Sequence, residues 1–231
     1  MWQTMKDGRL VGMQDRAVRT RRAILEAAGA VFDKCGYESA NLNEIVSLAA
    51  VSKGALYFHF RNKEDLALAV MHAQLSGVQP QPQMSRMQEF VDLGLLFAYR
   101  LPRDPLMRGS VRLTFDYAGR ELSQGSPYLS WIERNADILS RAKAGGELLP
   151  HVDAEAFADL VVGAYAGVNM MAQALGRRDA LEARASDLYR YLLPAVVVPA
   201  VLASLDLEPG RGEKLQRESE DHAGRLALPH G

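Results

Sequence analysis

Between Asn41 and Phe60 the chain holds two amphipathic segments, each too short to stand alone. Leu42, Ile45, Val46 and Ala49 fall at i, i+3, i+4 and i+7 of the first; Leu56 and Phe60 repeat the i, i+4 spacing in the second. Starting a helix is costly, and helices under about 12 residues are marginal in water. These two must therefore cross steeply and share a core, with the small Ala49 and Ala55 allowing close approach. Arg16–Lys34 supplies the support, because Ile24, Ala28 and Val31, with Leu25 and Phe32 beside them, form one helical face. Short helix, tight turn and short helix on such a base make a helix-turn-helix, whose second helix can enter a major groove about 12 Å wide.

Local signals extend this reading to an all-α chain. Gly36 ends the supporting helix as a left-handed C′ residue would. Asn41 stands three residues before Glu44, as in a capping box; Ser52 offers a second N-cap, and Asn62, three before Asp65, a third for a helix reaching Gly77. Gln79-Pro80-Gln81-Pro82-Gln83 is a break. Beyond it the pattern predicts helices over Ser85–Leu101, Pro105–Tyr117, Pro127 to Gly145-Gly146, Ala154–Leu175, Leu181–Leu193 and Val196–Leu205, with Ser126 and Asp153 as caps. No period-2 strand or Asn-Gly hairpin interrupts them. The expected organisation is a flexible arm over 1–15, a helix-turn-helix DNA-binding domain over 16–62, a larger helical ligand-binding and dimerisation domain over 63–207, and a disordered polar tail over 208–231. Met13 is a second candidate start.

The residues of the second short helix that face away from the core suit DNA. Ser52, Lys53 and Gly54 form its N-terminus; Lys53 can reach a guanine edge, and Gly54 lets the backbone approach. Tyr57 and His59 can donate to phosphate or touch a thymine methyl, and Lys63 suits a phosphate clamp. Charge agrees. Residues 1–25 hold six basic and two acidic side chains, a formal +4, in a chain whose total is −1. A basic lead-in on an acidic body fits a DNA-facing end, although charge by itself favours the plainer reading of a solvated basic start.

Thr20-Arg21-Arg22-Ala23-Ile24-Leu25-Glu26-Ala27-Ala28, Phe32 to Glu38, Val51-Ser52-Lys53-Gly54-Ala55-Leu56-Tyr57-Phe58-His59-Phe60 and Asn62 to Leu66 together resemble the DNA-binding domain of the TetR family, over roughly residues 16–75. The resemblance implies an all-α fold with a dimeric ligand-binding C-terminal half, no cofactor, and DNA contacts from Thr20, Ser52, Lys53, Gly54, Ala55, Tyr57, His59 and Lys63. One departure concerns the turn, where the family usually has Gly and this chain has Ala50; if that position needs positive φ, Ala costs on the order of 1 kcal/mol.

The second half, with Pro127-Tyr128, Trp131, Gly146-Glu147-Leu148, Val152-Asp153, Leu160-Val161, Gly167-Val168 and Leu192-Leu193-Pro194, resembles the γ-butyrolactone receptor branch of that family. The resemblance implies a repressor of secondary-metabolism genes that leaves DNA when a small diffusible signal binds beside Trp131. Read without it, Trp131 is an ordinary core tryptophan. Gln74 is a candidate polar contact. Tyr165 and Asn169, four apart on one helix face, are either ligand contacts or satisfied core residues. Ala166 stands where some lactone receptors carry a hydroxyl; losing one hydrogen bond costs a ligand roughly 1 kcal/mol and raises the alternative of a pseudo-receptor answering to an antibiotic or other metabolite. Leu181, Leu188, Leu192 and Val196–Val198 give the last two helices apolar faces for a homodimer, which a pseudo-palindromic double-stranded operator requires.

Other classes lack their signatures. His59, His72, His151, His222 and His230 have no metal-ligand spacing, and no nucleophile elbow, phosphate loop or dinucleotide fingerprint occurs, so neither an enzyme nor a metal site is expected. Glu64-Asp65 reads as first-turn helix charge. Cys35 is the single cysteine and reads as a buried thiol. No apolar run reaches membrane-spanning length and no signal peptide opens the chain, so a cytoplasmic address is expected. An all-helical adaptor that does not bind DNA is the remaining alternative.

Overall fold

The computed structural model describes residues 2–78, 83–116 and 126–227. These residues form eleven α-helices: α1 Trp2–Ser39, α2 Leu42–Leu48, α3 Lys53–His59, α4 Lys63–Gly77, α5 Arg86–Arg100, α6 Pro105–Asp116, α7 Pro127–Ala144, α8 Ala154–Ala174, α9 Leu181–Leu192, α10 Pro199–Leu202 and α11 Arg211–Ala227. Short 3-10 turns, Arg178–Ala180 and Leu193–Ala195, flank α9. All but Gln83 of the expected break at Gln79–Gln83, and the expected helix end at Tyr117, lie outside the described residues.

The caps read from sequence are made. Asn41 accepts from the Asn43 N–H, Ser52 from Ala55, Ser85 from Gln88, Ser126 from Tyr128, and Asp153 from Glu155 and Ala156. The Asn62 side chain accepts from the Asp65 N–H at 2.7 Å, and Asp65 in return accepts from the Arg61 N–H at 3.0 Å. That backbone bond holds the Asp65 carboxyl below its usual range. Glu44, expected to complete a capping box with Asn41, instead pairs with Lys34 at 3.1 Å.

The chain divides into two compact units, Met1–Gln74 with Asp104–Ser123, and Leu75–Arg103 with Gln124–Gly231. In the first, Ile24, Ala28 and Phe32 of α1 bury with Ile45, Leu56, Phe60, Leu66, Val70 and Leu113. This unit takes in most of α4 and all of α6, beyond the expected boundary at residue 62. The reason is a close crossing of α1 and α6: a Cβ on Gly109 would overlap the Gly29 carbonyl, and a Cβ on Gly29 would overlap the Leu106 backbone. Around it, Arg108 Nε donates to Asp33 Oδ2 at 2.6 Å, Arg112 Nη1 to the Asp33 carbonyl at 2.6 Å, and the Tyr37 N–H to Asp116 Oδ2 at 3.2 Å. Gly36, at φ 73 and ψ −178, breaks α1 in a conformation open only to glycine. Cys35 is half-buried, its Sγ donating to the Val31 carbonyl at 3.2 Å.

In the second unit α5 is central, with Met87 to Ala98 almost wholly buried. Glu147, in the α7–α8 turn, caps its N-terminus: the carboxylate accepts from Ser85 Oγ at 2.8 Å and from the Arg86 and Met87 N–H groups at 2.9 and 2.8 Å.

Three stretches differ from expectation. α1 starts at Trp2 where a flexible arm was expected; Gln3, Met5, Lys6, Arg9, Met13 and Gln14 are all good helix formers. Residues 196–198 are not helical but join residues 147–149 through the Leu148–Val197 bridge, with Leu149 N–H on the Val196 carbonyl at 2.8 Å and Val198 N–H on the Glu147 carbonyl at 3.0 Å. Three β-branched residues before a proline explain it. The tail read as disordered from residue 208 forms α11, because Arg211 closes a buried charge network: its Nη2 donates to Asp92 Oδ2 at 2.6 Å, its Nε to Asp92 Oδ1, and its Nη1 to Asp206 Oδ2 at 3.0 Å. Asp92 is fully buried, and its hydrogen bonds hold the Arg211 guanidinium above its ordinary pKa.

Candidate nucleic-acid interface and aromatic ligand cluster

The α2–α3 turn is a Schellman motif. The Val51 N–H reaches the Val46 carbonyl at 3.2 Å and the Ala50 N–H the Ser47 carbonyl at 3.2 Å. This bonding needs a left-handed C′ residue, and Ala50 supplies it at φ 52, the only non-glycine with positive φ among the described residues. The condition attached to Ala50 by the sequence is met.

α3 rests on Leu56 and on its C-cap Phe60, 1% and 2% exposed. Ser52, Lys53 and Gly54 are exposed, Ala55 and His59 half-buried, and Tyr57 exposed. Ser52 Oγ is occupied as the cap, accepting from the Ala55 N–H at 3.1 Å. The His59 ring meets Phe58 edge-on at 5.1 Å. Phe58, 80% exposed, was missed. The helical wheel marks it, because it lies two residues past Leu56 and so almost opposite the buried face. Thr20 is half-buried on α1. Lys63 is held by protein: its Nζ donates to the Glu38 carbonyl at 3.1 Å and lies 4.7 Å over the Tyr37 ring.

The second unit brings two of the four ligand candidates onto one ring. Phe97 of α5 meets Trp131 of α7 edge-on at 5.3 Å and Tyr165 of α8 edge-on at 5.7 Å. Trp131 is 9% exposed. The Tyr165 hydroxyl donates to the Gly94 carbonyl at 3.1 Å, and burial pushes its pKa well above the usual value, so it stays a neutral donor. Gly94 is required there, since a Cβ would overlap the Tyr189 hydroxyl. Asn169, one turn on from Tyr165, is 7% exposed, and among the described residues no fully buried side-chain nitrogen or oxygen lacks a hydrogen-bond partner. Gln74 belongs to the first unit, where its amide nitrogen donates to the Met71 carbonyl at 3.1 Å and lies 3.4 Å from Thr114 Oγ1. Phe97 and Gly94 were missed, being ordinary core residues in sequence.

Of the residues expected at a dimer interface, Leu181 and Val197 are buried within their own unit at 1%. Exposed apolar side chains of the second unit include Leu160, Met170 and Met171 on α8, Leu175 at its end and Tyr191 on α9, besides Met84 and Leu129. No described helix is long and apolar enough to cross a membrane, and the described residues hold no cluster of potential metal ligands.

Residues 24–70 match the profile of bacterial regulatory proteins of the tetR family, and residues 126–187 that of the tetracyclin repressor-like C-terminal domain. The chain is 36% identical over 214 residues to the A-factor receptor protein of Streptomyces griseus, covering 90% of this chain and 77% of that protein. Full-length native TylP, a tetR regulator from Streptomyces fradiae, superposes with a TM-score of 0.82 at 42% identity, over 88% of this chain and 98% of that one. An ArpA-like γ-butyrolactone receptor superposes at 0.64 with 28% identity, over 88% and 99% of the two chains.

Proposed function

The chain belongs to the tetR family of bacterial regulatory proteins, and from that premise we propose that it is a transcriptional repressor of the γ-butyrolactone receptor type, released from its operator by a small diffusible signal and controlling secondary metabolism. The observation that carries the DNA half is α3, which presents Lys53, Gly54 and Tyr57 outward from a base of fully buried Leu56 and Phe60. Lys53 reads a base edge; Ser52, Ala55, Tyr57 and His59 hold the helix in the groove, and Thr20 and Lys63 fix the backbone. One such helix touches few base pairs, so a homodimer reads a pseudo-palindrome, as tetR regulators do. The exposed Leu160, Met171, Leu175 and Tyr191 offer the apolar area for it. The work is done where the chromosome is, in the cytoplasm, and no catalytic role is assigned.

The ligand half rests on the aromatic cluster. A mainly apolar signal packs on Trp131 and Phe97, and Asn169, one helical turn from Tyr165, reads one of its oxygens. Gln74, engaged within the first unit, takes no direct part. Binding acts only through unequal affinity for the DNA-competent and released states. Ala166 favours a second reading, a pseudo-receptor with a different effector, because it offers no hydroxyl to a lactone.

A mobility-shift titration on DNA upstream of the protein's own gene, with and without organic extract of the producing culture, tests both halves. Selective binding released by extract supports the lactone-type repressor. Selective binding that extract leaves untouched supports the second reading. Failure to select any fragment from a genomic pool sinks the DNA-binding function.

A further inference from the structure

Arg134 stands one turn past Trp131 on α7, and its guanidinium lies 5.9 Å from the Trp131 ring centroid. The side chain is half-buried, and the loss of water around it pulls its pKa below the ordinary arginine value. Within the second unit its Nη1 donates to the Leu75 carbonyl at 3.2 Å, in the last turn of α4. That bond uses a single N–H of the guanidinium fork and brings no negative charge. The carboxylates nearby are committed elsewhere. Glu89, whose charge attracts Arg134, faces Arg86 at 2.7 Å through one oxygen and Arg141 at 3.7 Å through the other. Asp137, three residues on and so on the same helix face, pairs with Arg141 at 2.8 Å. Glu133, the preceding residue, is exposed and sits about 100° away around the helix. Arg134 thus enters no ion pair among the described residues. A carbonyl offsets part of its lost hydration; a carboxylate offsets far more, because both oxygens accept from the fork.

The geometry points to Arg134 as the counter-ion of an acidic ligand: the signal that packs on Trp131 and Phe97 is an amphipathic organic carboxylate and not a neutral lactone. The inference rests on the ligand reading above and names the chemical class of that signal. The apolar body lies on the aromatic rings, and the carboxylate accepts a forked pair of N–H bonds from the guanidinium beside Trp131. Tyr165 adds no negative charge to oppose it, because burial keeps its hydroxyl protonated. A desolvated cation that lacks a carboxylate of its own, next to an apolar cluster, is what an acid needs and a lactone leaves unsatisfied.

The test uses the full chain carrying Trp2→Phe, which leaves Trp131 as its single tryptophan. It is titrated with decanoate and with γ-decalactone, a neutral molecule of the same carbon number, and Trp131 emission reads binding. Decanoate is expected to half-saturate at a concentration at least about tenfold below the lactone, the effect of hydrogen bonds to a charged group. Arg134→Gln, which keeps an N–H for the Leu75 carbonyl, removes that preference and leaves lactone binding within a few-fold of wild type; Arg134→Lys keeps part of it. Lactone binding as tight as decanoate binding in the Arg134 protein overturns the inference, and so does a preference for decanoate that survives Arg134→Gln. If neither probe binds, the organic extract of the producing culture decides. A component that perturbs Trp131 emission, passes from solvent into bicarbonate and returns on acidification supports the acid; one that stays in the solvent overturns it. An extract that also leaves Trp131 emission unchanged overturns the ligand reading beneath, and this inference with it.

Discussion

Ala50 bears a cost that its counterparts avoid. The helices ending before Gly146 and Gly176 close with the same pair of bonds, Glu147 N–H to Ala142 and Gly146 N–H to Lys143 in one, Arg177 N–H to Ala172 and Gly176 N–H to Gln173 in the other. Their left-handed residues are glycines at φ 73 and 64; at the α2–α3 turn an alanine takes φ 52. An L-residue pays roughly 1–2 kcal/mol there, and glycine gives part of that back through the greater freedom it loses on folding. Ala50→Gly is therefore expected to stabilise the folded chain by about 0.5–1 kcal/mol, raising the urea midpoint at unchanged m. A midpoint at or below wild type would mean the turn holds Ala50 without strain. The residue scale is also where the sequence is most legible. Asn41, Ser52, Asn62, Ser126 and Asp153 cap as read, because a cap and its target lie two or three residues apart. Phe97 and Gly94 were not legible, since what marks them is the rings and hydroxyls brought to them by α7, α8 and α9.

At the scale of elements, helix existence was readable from periodicity and helix partners were not. α6 looked like one more amphipathic helix of the C-terminal half, yet it packs on α1 through Gly29 and Gly109. Gly109→Ala drives a methyl into the Gly29 carbonyl; overpacking of this kind costs about 1–3 kcal/mol, against a small gain for alanine in an exposed helix. A lower thermal midpoint is expected, and a midpoint equal to wild type would show that the crossing is looser than described. α11 was misread for the same reason. Its sequence is polar, and the residue that anchors it, Arg211, finds Asp92 from 119 positions away. Asp92 is wholly enclosed, so Arg211→Met strands a buried charge and is expected to cost about 3–5 kcal/mol. Measured by chemical denaturation, a loss below about 1 kcal/mol, the usual value of an exposed pair, would mean that water reaches Asp92.

At the scale of the whole molecule, the two sites must be separable by mutation if one governs the other. Trp131 lies in the second unit, edge-on to Phe97, and belongs to none of the surfaces assigned to DNA. Trp131→Ala removes apolar ligand area, and the Asn135 amide still has the main-chain carbonyl of residue 131, now 2.7 Å away, as its acceptor. The ligand-free state loses packing but no buried polar partner. Operator affinity of Trp131→Ala should therefore stay within a few-fold of wild type. The signal, however, can shift the equilibrium only by its differential affinity for the two states, and each 1.4 kcal/mol removed from that binding raises the concentration needed for release about tenfold. An aromatic anchor carries about 2 kcal/mol or more of such binding, so release should require at least ten times more extract, read as the midpoint of a mobility-shift titration. Release at the wild-type midpoint would move the ligand away from the Phe97 cluster. Loss of DNA binding without ligand would instead make Trp131 part of what holds the reading helices in place, and Tyr165→Phe, which keeps the ring on Phe97, would then separate packing from recognition.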